Sequence, residues 1–376
     1  SVVGAFAGLA GFSGAAWPLQ GTGLFLLELG VAVVLFEAGG RIPLRWFRHN
    51  PMVLAQSIVE SVLTYAAVYW LLIWLDVRPS VAEALGIVAI VASPAVLTRV
   101  VMDTRASGPV TERAIVLATL GSLYALTWGS AKAGLMNRPS HQLTDTLYPV
   151  LVVLGLSIVV GAVLALALRA ALRVMSPTSE NTSMMVLALI AAGAALAAHF
   201  GGSAPLAALL GGMLLKQLNP RPWTWPRQLG TAASILTTLM FVLVSVVAAQ
   251  ADWSKPVVGV VLAVVGVRAL AKIVGVALAN PGSGASWRQA LWVGCAMAPM
   301  SSVALLLVSQ FTLASPAYGP AIAAIALPAI LLMEVLGAVI ATFAIYRAGE
   351  NSRPWLPVAA PAPADSRDRT GDAYGA

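Results

Sequence analysis

A guanidinium and an ammonium group one helical turn apart, Arg268 and Lys272, lie deep inside a stretch of Val, Ala, Leu and Gly that is otherwise free of charge. At the centre of a membrane-spanning helix such a group costs about 2.5–3.5 kcal/mol on insertion scales, so each calls for a reason. The i,i+4 spacing puts both on one helix face. Together they can hold a carboxylate, alternate with a transported cation, or neutralise the carbonyl end of a broken helix. The structural alternative is a fixed ion pair, or a Lys272 that reaches out to the membrane surface. Carboxylates stand in other apolar stretches. Glu60 shares a stripe with Gln56, Ser57, Ser61 and Thr64, which marks a helix facing protein or water. It suits a transport role or a fixed pairing with an arginine. Glu334 has no polar neighbours in sequence and is expected to face the interior of a bundle, whereas Glu28 has the weakest functional case.

Two proline-centred clusters add a different chemistry. Ala92-Ser93-Pro94-Ala95 interrupts one apolar stretch and Ala298-Pro299-Met300-Ser301-Ser302 interrupts another. Proline inside a helix costs about 3 kcal/mol, because it lacks an N–H and clashes with the carbonyl one turn back. In lipid the freed backbone groups must be satisfied by protein or by a water-lined cavity. Two interrupted spans in matching places of two halves point to a transporter's midplane site, with Ser93, Pro94, Pro299 and Ser301 beside it. The alternative is a pair of kinks without a ligand. The sequence predicts that the two breaks meet and share a small wet cavity with Arg268.

The elements that must position these groups are apolar spans. Of the 376 residues 59% are hydrophobic and 10% charged, against about 25% charged in soluble domains, so the chain reads as an all-α polytopic membrane protein. Twelve segments are expected at 2–17, 21–40, 51–75, 82–101, 112–134, 146–172, 183–199, 203–218, 229–250, 256–279, 285–311 and 317–346. The first and eighth are short. Residues 1–350 then form the transmembrane domain, and the Pro/Ala-rich residues 351–376 a disordered cytoplasmic tail. Loops after even-numbered segments carry the basic residues, among them Arg41, Arg45, Arg105, Arg113, Lys216 and Arg347. By the positive-inside rule both termini are cytoplasmic, with a bacterial plasma membrane as the expected home. The broken fourth and eleventh segments are seven apart and cross in opposite directions, as an inverted repeat requires. Arg99 is expected at the cytoplasmic mouth or the membrane interface. The net charge of +7 comes without a dense basic patch, which argues against nucleic acid as a partner. Cys295 stands alone, and no zinc cluster, Ser/His pair or paired intramembrane aspartates suggest an enzyme or a cofactor.

These residues resemble a family. Leu27-Glu28-Leu29-Gly30-Val31, continuing to Leu35-Phe36-Glu37-Ala38-Gly39, is similar to the "ELGVVLLLFLAGLEL" signature of cation:proton antiporters in the sodium/hydrogen exchanger superfamily. Gly8, Gly11 and Gly14 resemble their early glycine turn, with Phe12 where a proline is usual. Ala92 to Leu97 falls at their first broken helix, and Pro205 to Leu215 resembles the "GAFLAGLLL" segment. Val267-Arg268-Ala269-Leu270 matches their basic position in the tenth helix, and Ala298 to Ala304 their second crossing. The likeness runs in order through most of residues 4–345. It implies two inverted repeats with two discontinuous crossing helices, beside a dimer-forming panel, and an elevator-like motion. The implied partners are monovalent cations, protons, membrane lipids and a second copy of the chain. In that family a fifth-helix aspartate binds cation and proton in turn. Here the position falls at about Ser122 or Leu123, and no carboxylate is present. Ser122, Tyr124 and Thr127 offer neutral oxygens to a cation, but serine and threonine hydroxyls do not titrate usefully near neutral pH.

Three functions therefore compete. The first is exchange of Na⁺ or K⁺ for protons, with Glu60 or Glu334 in place of the absent acid. The second is an anion or organic-acid transporter built on Arg268 and the positive helix ends. The third is a transport-inactive sensor or scaffold.

Overall fold

A computed structural model describes residues 21–42, 50–136, 143–175, 180–219, 255–300 and 302–351, with single positions such as Phe6, Leu44, Phe47 and several between 235 and 249. Twelve helices occur among the described residues. They are α1 (Thr22–Gly40), α2 (Pro51–Trp74), α3 (Pro79–Ile90), α4 (Pro94–Thr104), α5 (Pro109–Leu135) and α6 (Leu143–Val174). They continue with α7 (Glu180–His199), α8 (Ala204–Leu218), α9 (Lys255–Leu278), α10 (Trp287–Ala296), α11 (Ser302–Ala314) and α12 (Gly319–Ala348). Eight described stretches are long and apolar enough to cross a membrane, one of them α3 and α4 together. The first expected segment and the ninth lie largely outside the described residues, as does the tail from 352.

Local chemistry sets the helix ends. Pro51, Pro79, Pro94 and Pro109 each open a helix at its first turn, where the missing N–H has no intrahelical acceptor to lose. Ser286 and Gln289 form a reciprocal capping box that starts α10. Gly349 ends α12 in the left-handed region at φ 77°. Just beyond it, the Glu350 carboxylate accepts from the N–H groups of Val110 (2.7 Å) and Thr111 (2.8 Å), capping α5 from the far end of the chain. The Ser107 N–H donates to the Glu350 carbonyl, and Ala106 bridges Asn351.

Packing separates two large apolar clusters and a small third one of Val96, Val100, Ala106 and Ile345. Phe36 of α1 packs with Val160, Leu164 and Leu168 of α6, with Ile190 of α7 and with Ala208 of α8. The larger core joins α2, α3, α5 and α9 to α12, and α1, α6 and α8 present a face to each of the two large clusters. The α1–α8 contact is backbone on backbone. A Cβ at Gly39 would collide with the Leu209 carbonyl, and one at Gly212 with the Phe36 carbonyl. Small residues are how helices approach closely in lipid, where no hydrophobic force draws them together.

Candidate functional site

Both expected interruptions exist. The first span stops at Ile90 and restarts at Pro94, so the unwound residues are Val91 to Ser93, slightly earlier than the proline cluster indicated. The second stops at Ala296 and restarts at Ser302. Ser93 caps α4 by accepting from the Val96 N–H at 3.1 Å, while its own N–H donates to the Pro299 carbonyl at 3.0 Å. The breaks therefore meet, and each settles a backbone group that the other has bared. Gly337 of α12 sets the closeness of the second break: a Cβ there would sit 2.6 Å from Pro299 Cα. Ser301 lies outside the described residues.

Arg268 projects from α9 into this junction and is 1% exposed. Its Nε donates to the Ala89 carbonyl at 3.0 Å, Nη2 to Val91 at 2.6 Å, and Nη1 to Ala298 at 2.7 Å and to Met333 Sδ at 3.3 Å. Four of its five N–H groups are thus engaged. The charge balance has the same origin. The C-terminal ends of α3 and α10 each present about −0.5 of an elementary charge, together about one guanidinium. Of the roles open to Arg268, the one observed is neutralising the carbonyl ends of broken helices. Its fork is largely filled, and an anion would have to displace those carbonyls. The cavity beside it measures only about 20 Å³, room for roughly one water and much tighter than the expected wet chamber.

Lys272, one turn on, does not reach the membrane surface. Its Nζ lies 2.6 Å from Glu60 Oε1 and 3.0 Å from the Ile90 carbonyl, and both side chains are 0% exposed. The partner of Glu60 is thus a lysine, where sequence had suggested an arginine. Thr64 donates to Glu60 Oε1 at 3.0 Å and Ser61 approaches Oε2 at 3.4 Å. Gly275 makes the pairing reachable: a Cβ there would come 2.6 Å from Glu60 Cα, so α9 packs flush against α2. A buried pair has to offset a desolvation cost of several kcal/mol per ion, and the extra hydrogen bonds help do so.

The remaining expected residues divide. Ser122 on α5 is fully buried and reaches the first break, donating toward the Ala92 carbonyl (3.1 Å) and the Ala118 carbonyl (3.0 Å). Thr127 is turned to its own helix, with its hydroxyl on the Leu123 carbonyl at 2.8 Å. Glu334 is 5% exposed and looks into a different space, a cavity of about 680 Å³ between α4 and α12. Ser245 is the side chain that approaches its carboxylate.

Sequence reading missed a polar column. Arg113, counted above as a loop charge, turns inward to Gln56 Oε1 (3.4 Å), Ser283 Oγ (3.0 Å) and the Ser283 carbonyl (3.0 Å). Gln56 donates on to the Val276 carbonyl, and Ser57 bonds Tyr124 at 2.9 Å. The stripe on α2 was the available signal for it. Lys132 likewise pairs with Glu83.

The family model described as sodium/hydrogen exchanger, transmembrane, matches residues 2–346. A structure of the sodium proton antiporter MjNhaP1 from Methanocaldococcus jannaschii at pH 8 is similar in fold, with a TM-score of 0.68 and 17% identity. That alignment covers 91% of this chain and 87% of the other. An electron-microscopy structure of the same antiporter gives a TM-score of 0.63 and 18% identity, over 86% and 84% of the two chains. Comparison with curated proteins finds no match. At these identities the structural likenesses speak for the fold alone.

Proposed function

This chain belongs to the sodium/hydrogen exchanger family of multi-pass membrane transporters, and from that premise we propose that it exchanges a monovalent cation, Na⁺ or K⁺, for protons, with Glu60 and Lys272 in the role of the absent fifth-helix carboxylate. One observation carries the reading: the Lys272 ammonium occupies an oxygen cage, Glu60 Oε1 at 2.6 Å and the Ile90 carbonyl at 3.0 Å, next to the first break. An ammonium and an alkali cation have the same charge and seek the same oxygens. When Lys272 gives up its proton, the neutral amine no longer competes and the two oxygens are free for the cation. When Lys272 is protonated again, the cation is expelled. One positive charge thus replaces another, which links the two fluxes without a carboxylate on α5. Arg268 stays charged throughout and holds the carbonyl ends in place.

The same reading includes alternating access, with the larger core moving past α1, α6, α7 and α8. It also includes a homodimer built on that second group and both termini in the cytoplasm. The basic residues in the loops after even-numbered segments support that orientation.

Proteoliposomes carrying an imposed pH gradient test the exchange. Na⁺ or K⁺ added outside should dissipate an acid-inside gradient, and Lys272→Ala and Glu60→Gln should each abolish that response. A flat response of the native protein to Na⁺, K⁺ and Li⁺ across the neutral pH range overturns the reading.

A further inference from the structure

We propose that Arg113 is a specificity-determining guard on the polar path by which cations reach the Glu60–Lys272 pair, a path that opens where α2 and α5 begin. That cations are what passes rests on the exchange reading above, whereas the path itself rests on packing. The buried face of α2 changes character along its length. Gln56, Ser57, Glu60 and Thr64 are each 0% exposed, and beyond them Val68 and Leu72, also 0% exposed, continue the same face in aliphatic carbon. Toward Leu72 this face offers an ion no side-chain oxygen. Toward Pro51 it offers the Gln56 amide one helical turn from Glu60, about 5.4 Å along the axis. Taking a cation through the aliphatic side would strip it of partners, so the path leads toward Pro51.

The amide is one rung of a ladder between α2 and α9. Lys272 faces Glu60, and one turn further along α9 the Val276 carbonyl accepts from Gln56 Nε2 at 3.3 Å. The same nitrogen reaches Asn280 Oδ1 at 3.4 Å, and Ser283 Oγ donates to that oxygen at 2.7 Å. Polar groups thus continue from the buried pair to the half-buried Ser283 in the loop after α9. Arg113 lies across the outer end. Its guanidinium holds Gln56 Oε1 at 3.4 Å and the Ser283 hydroxyl and carbonyl at 3.0 Å each, all neutral oxygens. No carboxylate pairs with it among the described residues. An unneutralised positive charge there repels a cation at close range, where solvent screens less than in bulk. The hold is weakest over the path itself, since 3.4 Å exceeds the usual N–H···O range of about 2.7–3.2 Å. With Arg113 in place the path is shut to cations. With Arg113 turned outward, Gln56 and Glu60 offer oxygens one turn apart.

Thiol labelling of the full chain in sealed proteoliposomes of known orientation tests this without any flux. Cys295→Ser removes the one native thiol, and Ser57→Cys then places a reporter beside Gln56. The probes are 2-(trimethylammonium)ethyl methanethiosulfonate, a cation, and 2-sulfonatoethyl methanethiosulfonate, an anion, neither of which crosses a bilayer. The reporter should react from the face that carries Gly349 and not from the other. Arg113→Gln should raise the ratio of cationic to anionic labelling rates about tenfold, and Arg113→Lys should keep it near native. Ser283→Ala loosens Arg113 without removing its charge and should speed both probes, which keeps the test valid if Arg113→Gln does not fold. Reaction from the opposite face, no reaction in any variant, or an unchanged ratio in Arg113→Gln overturns the guard. So do unchanged rates in Ser283→Ala where Arg113→Gln does not fold. Cation-driven flux is read separately. Flux without the labelling pattern removes the path and leaves the exchange reading standing, and the labelling pattern without flux does the reverse.

Discussion

At the scale of single residues, the charge on Lys272 and its ability to release a proton can be separated. Arginine keeps the charge but does not deprotonate in proteins. Lys272→Arg is therefore expected to fold and to retain a pair with Glu60, yet to give no cation-driven pH change in proteoliposomes. Removing one partner exposes the other: Glu60→Ala should cost about 3–5 kcal/mol, read as a lowered melting temperature in detergent. The double replacement Glu60→Leu with Lys272→Met should recover most of that loss without recovering flux, since hydrophobic groups of similar volume can substitute for a buried pair. Arg268→Lys should melt lower than the native protein. One ammonium cannot span the Ala89, Val91 and Ala298 carbonyls, and each left unpaired costs about 1–3 kcal/mol. The charged residues were legible in sequence because lipid makes them conspicuous. Their partners were not, since three of the four groups around Arg268 are backbone carbonyls, which every residue carries and only the fold brings together.

Among the elements, the broken helices were the most legible, because proline removes a donor wherever it stands. The exact unwinding was less so: α3 ends at Ile90, before the proline cluster, because the Ala89 and Val91 carbonyls turn to Arg268 instead of continuing the helix. Sequence also could not show which helix lies on which break. Here glycine decides, since Gly337 brings α12 onto Pro299 and Gly275 brings α9 onto Glu60. Gly337→Val forces a methyl pair against a proline ring that has no room to move. The expected cost is about 1–3 kcal/mol in a thermal melt, with flux reduced as the second break is pushed away from Ser93. The same change at Gly155, where a Cβ meets nothing within 4 Å, should leave both readouts near native.

Over the whole molecule, the division into two large apolar clusters gives the proposed motion a seam: helices on either side keep their own interior while α1, α6 and α8 face both. The family resemblance implied a core beside a panel, but placing α7 and the part of α6 from Val160 to Leu168 in the smaller cluster needed the packing of Val160, Leu164 and Ile190. A last property of the molecule concerns where it can be cut. Because Glu350 supplies the acceptors for the first amides of α5, the membrane body does not finish with its final helix. A chain shortened after Gly349 would keep every span yet leave the helix that carries Ser122 uncapped at its start, a loss of about 0.5–2 kcal/mol, whereas one shortened after Asn351 should melt like the intact protein. A residue beyond the last turn of α12 is in this sense a keystone for one of the most buried helices.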